Sequence, residues 1–290
     1  MLRIDAHHHL WQYDPAAYDW LEGDLAVLRR DFLVDDLKQV TREAKVSSTV
    51  AVQARQSVEE TAWLLQLAAA NPLILGVVGW LPLRDPQFPA ELEMYRQQKT
   101  LVGLRHVVQG ETPGFLDDGA FNAGITSLQG TRLVYDVLIF ERQLDEAIRF
   151  VDRHPQQVFV LDHIAKPKIA AGEMQPWAHK IAELAERENV FCKVSGMVTE
   201  ADPKHWTTEQ LKVYFDTVLE AFTPTRLMAG SDWPVICAGC SYERWWTVLE
   251  EWVAPLSPDE QADIMGRTVL SAYRLQEPTP IVHQEKEISA

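Results

Sequence analysis

The sequence predicts a single (β/α)8 barrel, on three observations. Eight short runs rich in β-branched and apolar residues recur along the chain, segments with helix-start signals separate them, and the 290 residues match the length one such barrel takes. In order, the runs are RIDAHHH (3–9), STVAVQA (48–54), ILGVVGWL (74–81), LVGLRHVV (101–108), RLVYDVLI (132–139), FVLDHI (159–164), VFCKVSG (190–196) and LMAGSDWP (227–234). Strand alternating with helix implies parallel pairing, and eight such units fit a closed barrel better than an open doubly wound sheet. The first crossover also lacks a Gly-x-Gly-x-x-Gly phosphate loop, which argues against a dinucleotide-binding sheet.

The helix signals fall between the runs. Ser57-Val-Glu-Glu60 and Thr207-Thr-Glu-Gln210 read as capping boxes, and Ser257-Pro-Asp-Glu260 adds a proline at the first helical position. With no low-complexity linker, the barrel is expected to occupy residues 1–276. A tail over 277–290, carrying Pro278 and Pro280, is expected at the surface.

Composition narrows the classes of function. Hydrophobic residues make up 47% and charged residues 24%, the balance of a packed globular protein. A net charge of −15 repels an extended polyanion, so no nucleic-acid partner is expected. There is no apolar stretch of about 18 residues and no leader pattern, so no membrane partner is expected and a cytoplasmic location is predicted. Cys192, Cys237 and Cys240 are an odd set and argue against a disulfide framework. Cys237-Ala-Gly-Cys240 lacks the second pair of a zinc site and reads as incidental loop thiols.

In such a barrel the loops at the carboxyl ends of the strands build the active site. Asp5, His7 and His9 share strand parity, so His7 and His9 are expected to point inward and His8 away. Imidazoles converging from one strand suit either a divalent metal or hydrogen bonds around a substrate carbonyl. Asp232, in GSDWP, comes beside the first strand once the barrel closes. His163, in VLDHIAKP, reaches the same rim. Of Arg105 and His106 in GLRH, one should face the barrel and the other the helices, and Arg105 suits either a substrate carboxylate or carbonyl or a structural ion pair at the barrel mouth. Gln53 and Arg55 after the second strand, and Trp80 after the third, either shape a sugar-sized pocket or pack under loops. Among ten tryptophans, Trp11, Trp20, Trp80 and Trp233 fall near strand ends as stacking walls for a small polar ring. Lys193 shares parity with Ser195 and would suit a Schiff-base aldolase, but that reading leaves His7, His9 and Asp232 without roles.

IDAHHHLW, LDHIAKP and GSDWPV resemble the sugar-lactone hydrolase branch of the amidohydrolase superfamily. YDWL, VAVQAR, VVGW, GLRH, YDVLIFERQL, CKVSGMVTEAD and RLMAGSDWP are similar to L-fuconolactonases and related enzymes, so the likeness spans roughly residues 3–275. It implies a distorted barrel that opens a small-molecule sugar lactone, L-fuconolactone or a related aldonolactone, to its aldonic acid. His7 and His9 match the first-strand pair, His163 the sixth-strand histidine and Asp232 the eighth-strand aspartate. Asp232 is then the general base. Arg105, His106, Gln53 and Trp80 are expected to contact the substrate. The lysine or glutamate that bridges two metals in many superfamily members is replaced by Arg105–His106, and the histidine of strand five by Tyr135–Asp136. One divalent ion such as zinc on His7, His9 and Asp232, or catalysis without metal, is therefore expected rather than a binuclear centre. A metal-dependent decarboxylase of the same superfamily and a non-catalytic sugar-acid binding protein are the rival readings.

Overall fold

The computed structural model describes residues 2–95 and 97–278, so nearly all of the expected tail lies outside the described residues. Eight parallel strands follow one another around the sheet in chain order: β1 (Ile4–His8), β2 (Ser48–Val52), β3 (Ile74–Gly79), β4 (Leu101–His106), β5 (Val134–Val137), β6 (Phe159–Leu161), β7 (Val190–Val194) and β8 (Leu227–Ala229). The sheet closes through the segment after β8. His8 and Trp233 form a parallel bridge, the Asp232 N–H donates to His7 O at 2.8 Å, and the His9 N–H donates to Trp233 O at 2.6 Å. The predicted barrel is the observed fold.

Helices α1 (Val34–Glu43), α2 (Val58–Ala70), α3 (Phe88–Tyr95), α4 (Gly119–Leu128), α5 (Leu144–Arg153), α6 (Trp177–Ala185), α7 (Met197–Glu200), α8 (Thr208–Phe222), α9 (Tyr242–Val253), α10 (Pro258–Ala262) and α11 (Thr268–Ala272) supply the crossovers and the closing segment. Their starts follow the sequence signals in part. Ser257 and Glu260 form the reciprocal box, Ser257 N to the Glu260 carboxylate at 2.8 Å and Glu260 N to Ser257 Oγ at 3.4 Å. At α2, Ser57 Oγ accepts from Glu60 N at 3.2 Å. The Glu60 carboxylate turns instead to the N–H groups of Ala54 and Arg55, at 3.0 and 2.7 Å, pinning the loop beside the cavity described below.

Two apolar layers hold this frame. The larger lies between sheet and helices and includes Trp11, Phe121, Phe150, Trp177, Phe215 and Trp245. The smaller fills the barrel, drawing Ile4, Val50, Val52, Val78, Val102, Val134, Val160 and Met228 from the strands, Val269 and Ala272 from α11, and Tyr273 just past it. Excluding water from both faces is the main stabilising term.

One departure matters for the site. Ile4 and Asp5 pair with Ser48 and Thr49, but His8 pairs with Ala51. Three residues of β1 thus oppose two of β2, the signature of a bulge. Simple alternation from Asp5 therefore fails. Asp5 turns to the helix layer, where its carboxylate accepts from Ser231 Oγ at 2.6 Å and Tyr242 Oη at 3.0 Å; burial raises its pKa to about 6.

Candidate active site

Above the apolar filling of the barrel sits a layer of buried charge. Lys193 Nζ lies 2.5 Å from Asp136 Oδ2 and 3.0 Å from Asp162 Oδ1. Arg105 donates to Asp162 Oδ2 at 2.9 Å and to Gln53 Oε1 at 2.9 Å. Tyr273 Oη donates to Asp136 at 2.8 Å. Two cations face two carboxylates, so the layer is neutral and its charges are paired. Burial tends to raise the Asp162 pKa, but Lys193, His7 and Arg105 outweigh it and hold the carboxyl well below the usual carboxylate range. The Schiff-base alternative loses its footing here, because Lys193 is fully buried and its ammonium is tied to two carboxylates.

His7 stands on this layer. Its Nδ1 is 3.2 Å from Lys193 Nζ and 3.3 Å from Asp162 Oδ1, and its Nε2 is 3.2 Å from His9 Nε2. The His9 Nδ1 is 2.8 Å from Val52 O. A carbonyl only accepts, so Nδ1 carries a hydrogen and Nε2 faces inward. That Nε2 lies 3.3 Å from Asp232 Oδ1, with His7 Nε2 at 3.7 Å and His163 Nε2 at 3.9 Å from the same oxygen. Three imidazoles surround one carboxylate oxygen. Burial alone would raise the Asp232 pKa; His163, His9 and His7 reverse that and keep it ionised below the usual range. Burial in turn lowers His163 to about 4 and His7 well below its ordinary value.

The backbone that delivers these groups is unusual. Asp232 has φ 59°, and His163, Ile164, Ala165 and Lys166 form a run with φ between 47° and 61°. Non-glycine residues in the left-handed region cost on the order of 1 kcal/mol each and persist where surrounding structure holds them. Here the Trp177 indole N–H donates to Ile164 O at 2.8 Å, and Ser195 Oγ meets His163 Nδ1 at 2.8 Å. His163 and Asp232 accordingly lie just past their strands, beyond β6 and β8, rather than within them.

The group opens into a cavity of about 710 Å3 at the carboxyl ends of the strands. His9, Arg105, His163 and Asp232 line its floor; Trp20, Leu25, Arg55, Lys166 and Glu200 contribute walls. Gln53 lies outside this lining, buried against Arg105. Trp80 and His106 are also outside it and pair with each other, the indole N–H donating to His106 Nδ1 at 3.2 Å, while His106 Nε2 meets Glu111 at 2.8 Å. Of the adjacent pair on β4, Arg105 faces the barrel and His106 the helix side, stacked on Phe115. Asp162, Lys166, Glu200 and Tyr273 carried no site role in the sequence reading. Asp162, next to His163, was the most visible of them.

A family model described as amidohydrolase matches residues 4–275. The chain belongs to the amidohydrolase family. It is 40% identical over 289 residues to an L-fucono-1,5-lactonase of Burkholderia multivorans, covering 96% of this chain and 97% of that one. It is 33% identical to an L-fucono-1,5-lactonase of Burkholderia ambifaria, over 98% and 99% of the two chains. A crystal structure of an amidohydrolase from Burkholderia multivorans with bound zinc superposes with a TM-score of 0.91 at 39% identity, over 95% of this chain and all of that one.

The donor set here fits a divalent ion. His7, His9 and Asp232 offer two nitrogens and an oxygen within 4.8 Å of one another, and His7, Asp162 and His163 form a second such group. Mixed imidazole and carboxylate ligands suit zinc, and the hydrogen bond from His9 to Val52 O is the outer support that orients a ligand. Among the described residues, no helix is long and apolar enough to cross a membrane.

Proposed function

We propose that this protein hydrolyses a sugar lactone, L-fucono-1,5-lactone or a closely related aldonolactone, to the aldonic acid. The observation that carries the reading is the convergence of His7, His9 and His163 on Asp232 Oδ1 at the cavity floor. The names of the two full-length relatives support the substrate class. Asp232 accepts a proton from water as the hydroxyl oxygen bonds to the lactone carbonyl carbon. His163, with its Nδ1 on the Ser195 hydroxyl, presents Nε2–H to the developing oxyanion, and Arg105 adds positive potential beneath. When the ring C–O bond breaks, Asp232 returns the proton to the departing ring oxygen. His7, His9 and Asp232 are the residues to hold a divalent ion, zinc being the metal this donor set favours; bound there, it would acidify water and polarise the carbonyl.

The test is a panel of aldono-1,5- and aldono-1,4-lactones followed by acid release, run beside aromatic carboxylates followed for carbon dioxide, before and after chelation. Acid release from the sugar lactones is expected. Carbon dioxide release in its place would assign the chain to the decarboxylase alternative, and binding without turnover would make it a sugar-acid receptor.

A further inference from the structure

Three cations line the cavity wall or floor: Arg55, Arg105 and Lys166. Arg105 is committed to Asp162 and Gln53. Arg55 lies over the Tyr18 ring and reaches Ser57 Oγ at 3.5 Å. Lys166 also lies over a ring, its Nζ 5.6 Å from the Phe140 centroid, but it differs from both in its ionic partner. Its Nζ lies 3.7 Å from Glu200 Oε1, with side chains only 16% and 21% exposed, and among the described residues neither forms another ion pair. That separation exceeds a hydrogen bond, so among the described residues two largely buried ions face each other across the cavity wall without a direct hydrogen bond between them. Lys166 ends the left-handed run that begins at His163, and Glu200 ends α7, which starts beside Gly196 under the His163 ring. The pair is therefore built on the two segments that position a proposed catalytic histidine.

We infer that Lys166 and Glu200 form a subsite for one ring hydroxyl of the lactone, an inference that rests on the sugar-lactone reading above. An ammonium only donates and a carboxylate only accepts, whereas a hydroxyl does both at one atom. A hydroxyl oxygen at about 2.8 Å from each ion, the ordinary hydrogen-bond length, spans the gap as the apex of a triangle. Such a group completes both ions at once. A carboxylate or an amine would satisfy one ion and repel the other, so the pair selects a neutral polyol over a charged substrate. The subsite thus reads hydroxylation of the ring, while Asp232 and the histidines act on its ester.

Calorimetry with non-hydrolysable probes tests this without turnover. The probes are a polyhydroxylated δ-lactam, the nitrogen analogue of an aldono-1,5-lactone, and unsubstituted δ-valerolactam. The unmodified protein should prefer the hydroxylated lactam. Lys166→Met should weaken that lactam by about 10- to 100-fold, the loss of one hydrogen bond to a charged group, Glu200→Gln, whose amide oxygen still accepts but without charge, by about 3- to 10-fold, and neither should change δ-valerolactam affinity more than twofold. Circular dichroism and thermal midpoints establish that each variant is folded; Glu200→Gln, nearly isosteric, serves if Lys166→Met is not. Equal weakening of both lactams, unchanged affinity for the hydroxylated one, or no preference in the unmodified protein would overturn the subsite. If the preference behaves as expected but no sugar lactone is hydrolysed, the lactonase reading falls and the hydroxyl subsite stands.

Discussion

Gly196 makes room for the ring of His163: a Cβ at position 196 would fall 2.6 Å from the ring's Cγ and 2.7 Å from its Nδ1. The backbone there is also left-handed, at φ 65°. Gly196→Ala should therefore displace the imidazole from Ser195 and Asp232. A displacement near 1 Å is expected to lower kcat about 10²-fold, with a smaller effect on the thermal midpoint. Steady-state kinetics that match the parent protein would show that the ring does not need this space.

Asp232→Asn should retain the fold, because the amide is nearly isosteric and the barrel-closing bond from Asp232 N to His7 O belongs to the backbone. It cannot take the proton of water. Turnover should fall by about 10²–10⁴-fold, the usual contribution of a general base, once spontaneous lactone opening is subtracted. Near-parental turnover would remove Asp232 from the role proposed for it.

The three consecutive histidines should separate cleanly. His8 is fully buried with its Nε2 unpartnered, and burial lowers its pKa to about 3, so His8→Gln is expected to alter stability and leave zinc binding and turnover close to parental. His7→Ala and His9→Ala should each lose turnover; if the protein binds zinc, both should also lower its stoichiometry under the same loading conditions, and if it does not, the loss should appear in turnover or substrate affinity alone. Metal analysis and kinetics on the three purified variants decide it, and a His8→Gln variant more damaged than the other two would overturn the assignment.

Lys193→Met would leave Asp136 and Asp162 without their shared ammonium inside the barrel. Removing one partner from a buried charge cluster costs about 3–5 kcal/mol. Denaturant unfolding should show a loss of that order, and Asp136→Asn combined with Lys193→Met should recover part of it. Additive losses in the double variant would mean that the two residues are not energetically paired.

Glu60 sets a pH dependence of stability. Burial raises its carboxyl to about 7 from the ordinary 4.5. A raised acid folds best when protonated: below about 4.5 both states carry the proton, and as pH rises toward 7 the folded state must bury a charge that the unfolded state exposes to water. The cost reaches on the order of 3 kcal/mol by pH 7. Subtracting the stability of Glu60→Gln from that of the parent, by urea unfolding at several pH values, should give a difference that moves against the parent between pH 4.5 and 7. A flat difference would show that the Ala54 and Arg55 N–H groups fully offset the desolvation.

Much of the fold was legible because strand and helix signals are local and repeat eight times along the chain. The grouping of His7, His9, His163 and Asp232 was legible because closure of a barrel brings first and last strands together. The parity that placed Asp5 with the histidines failed, since a one-residue bulge leaves no mark on the residue types of IDAHHH. The left-handed run from His163 to Lys166 contains no glycine to announce it. The couplings of Arg105 and Lys193 to Asp162, and of Lys166 to Glu200, join segments far apart in the chain and depend on which rotamers share a floor.

The seam between Asp232 and His7 has a consequence for the order of events in synthesis. The groups assigned to chemistry on the first strand and the carboxylate that completes them enter the ribosome's exit at opposite ends of the message, and the strand bearing His7 has only one flank covered until the residues around Trp233 arrive. A nascent chain released before that point would carry its histidines exposed along an open edge, chemically silent and free to pair with another chain. The backbone bonds that cover the free flank of the first strand are thus the same ones that bring Asp232 beside His7.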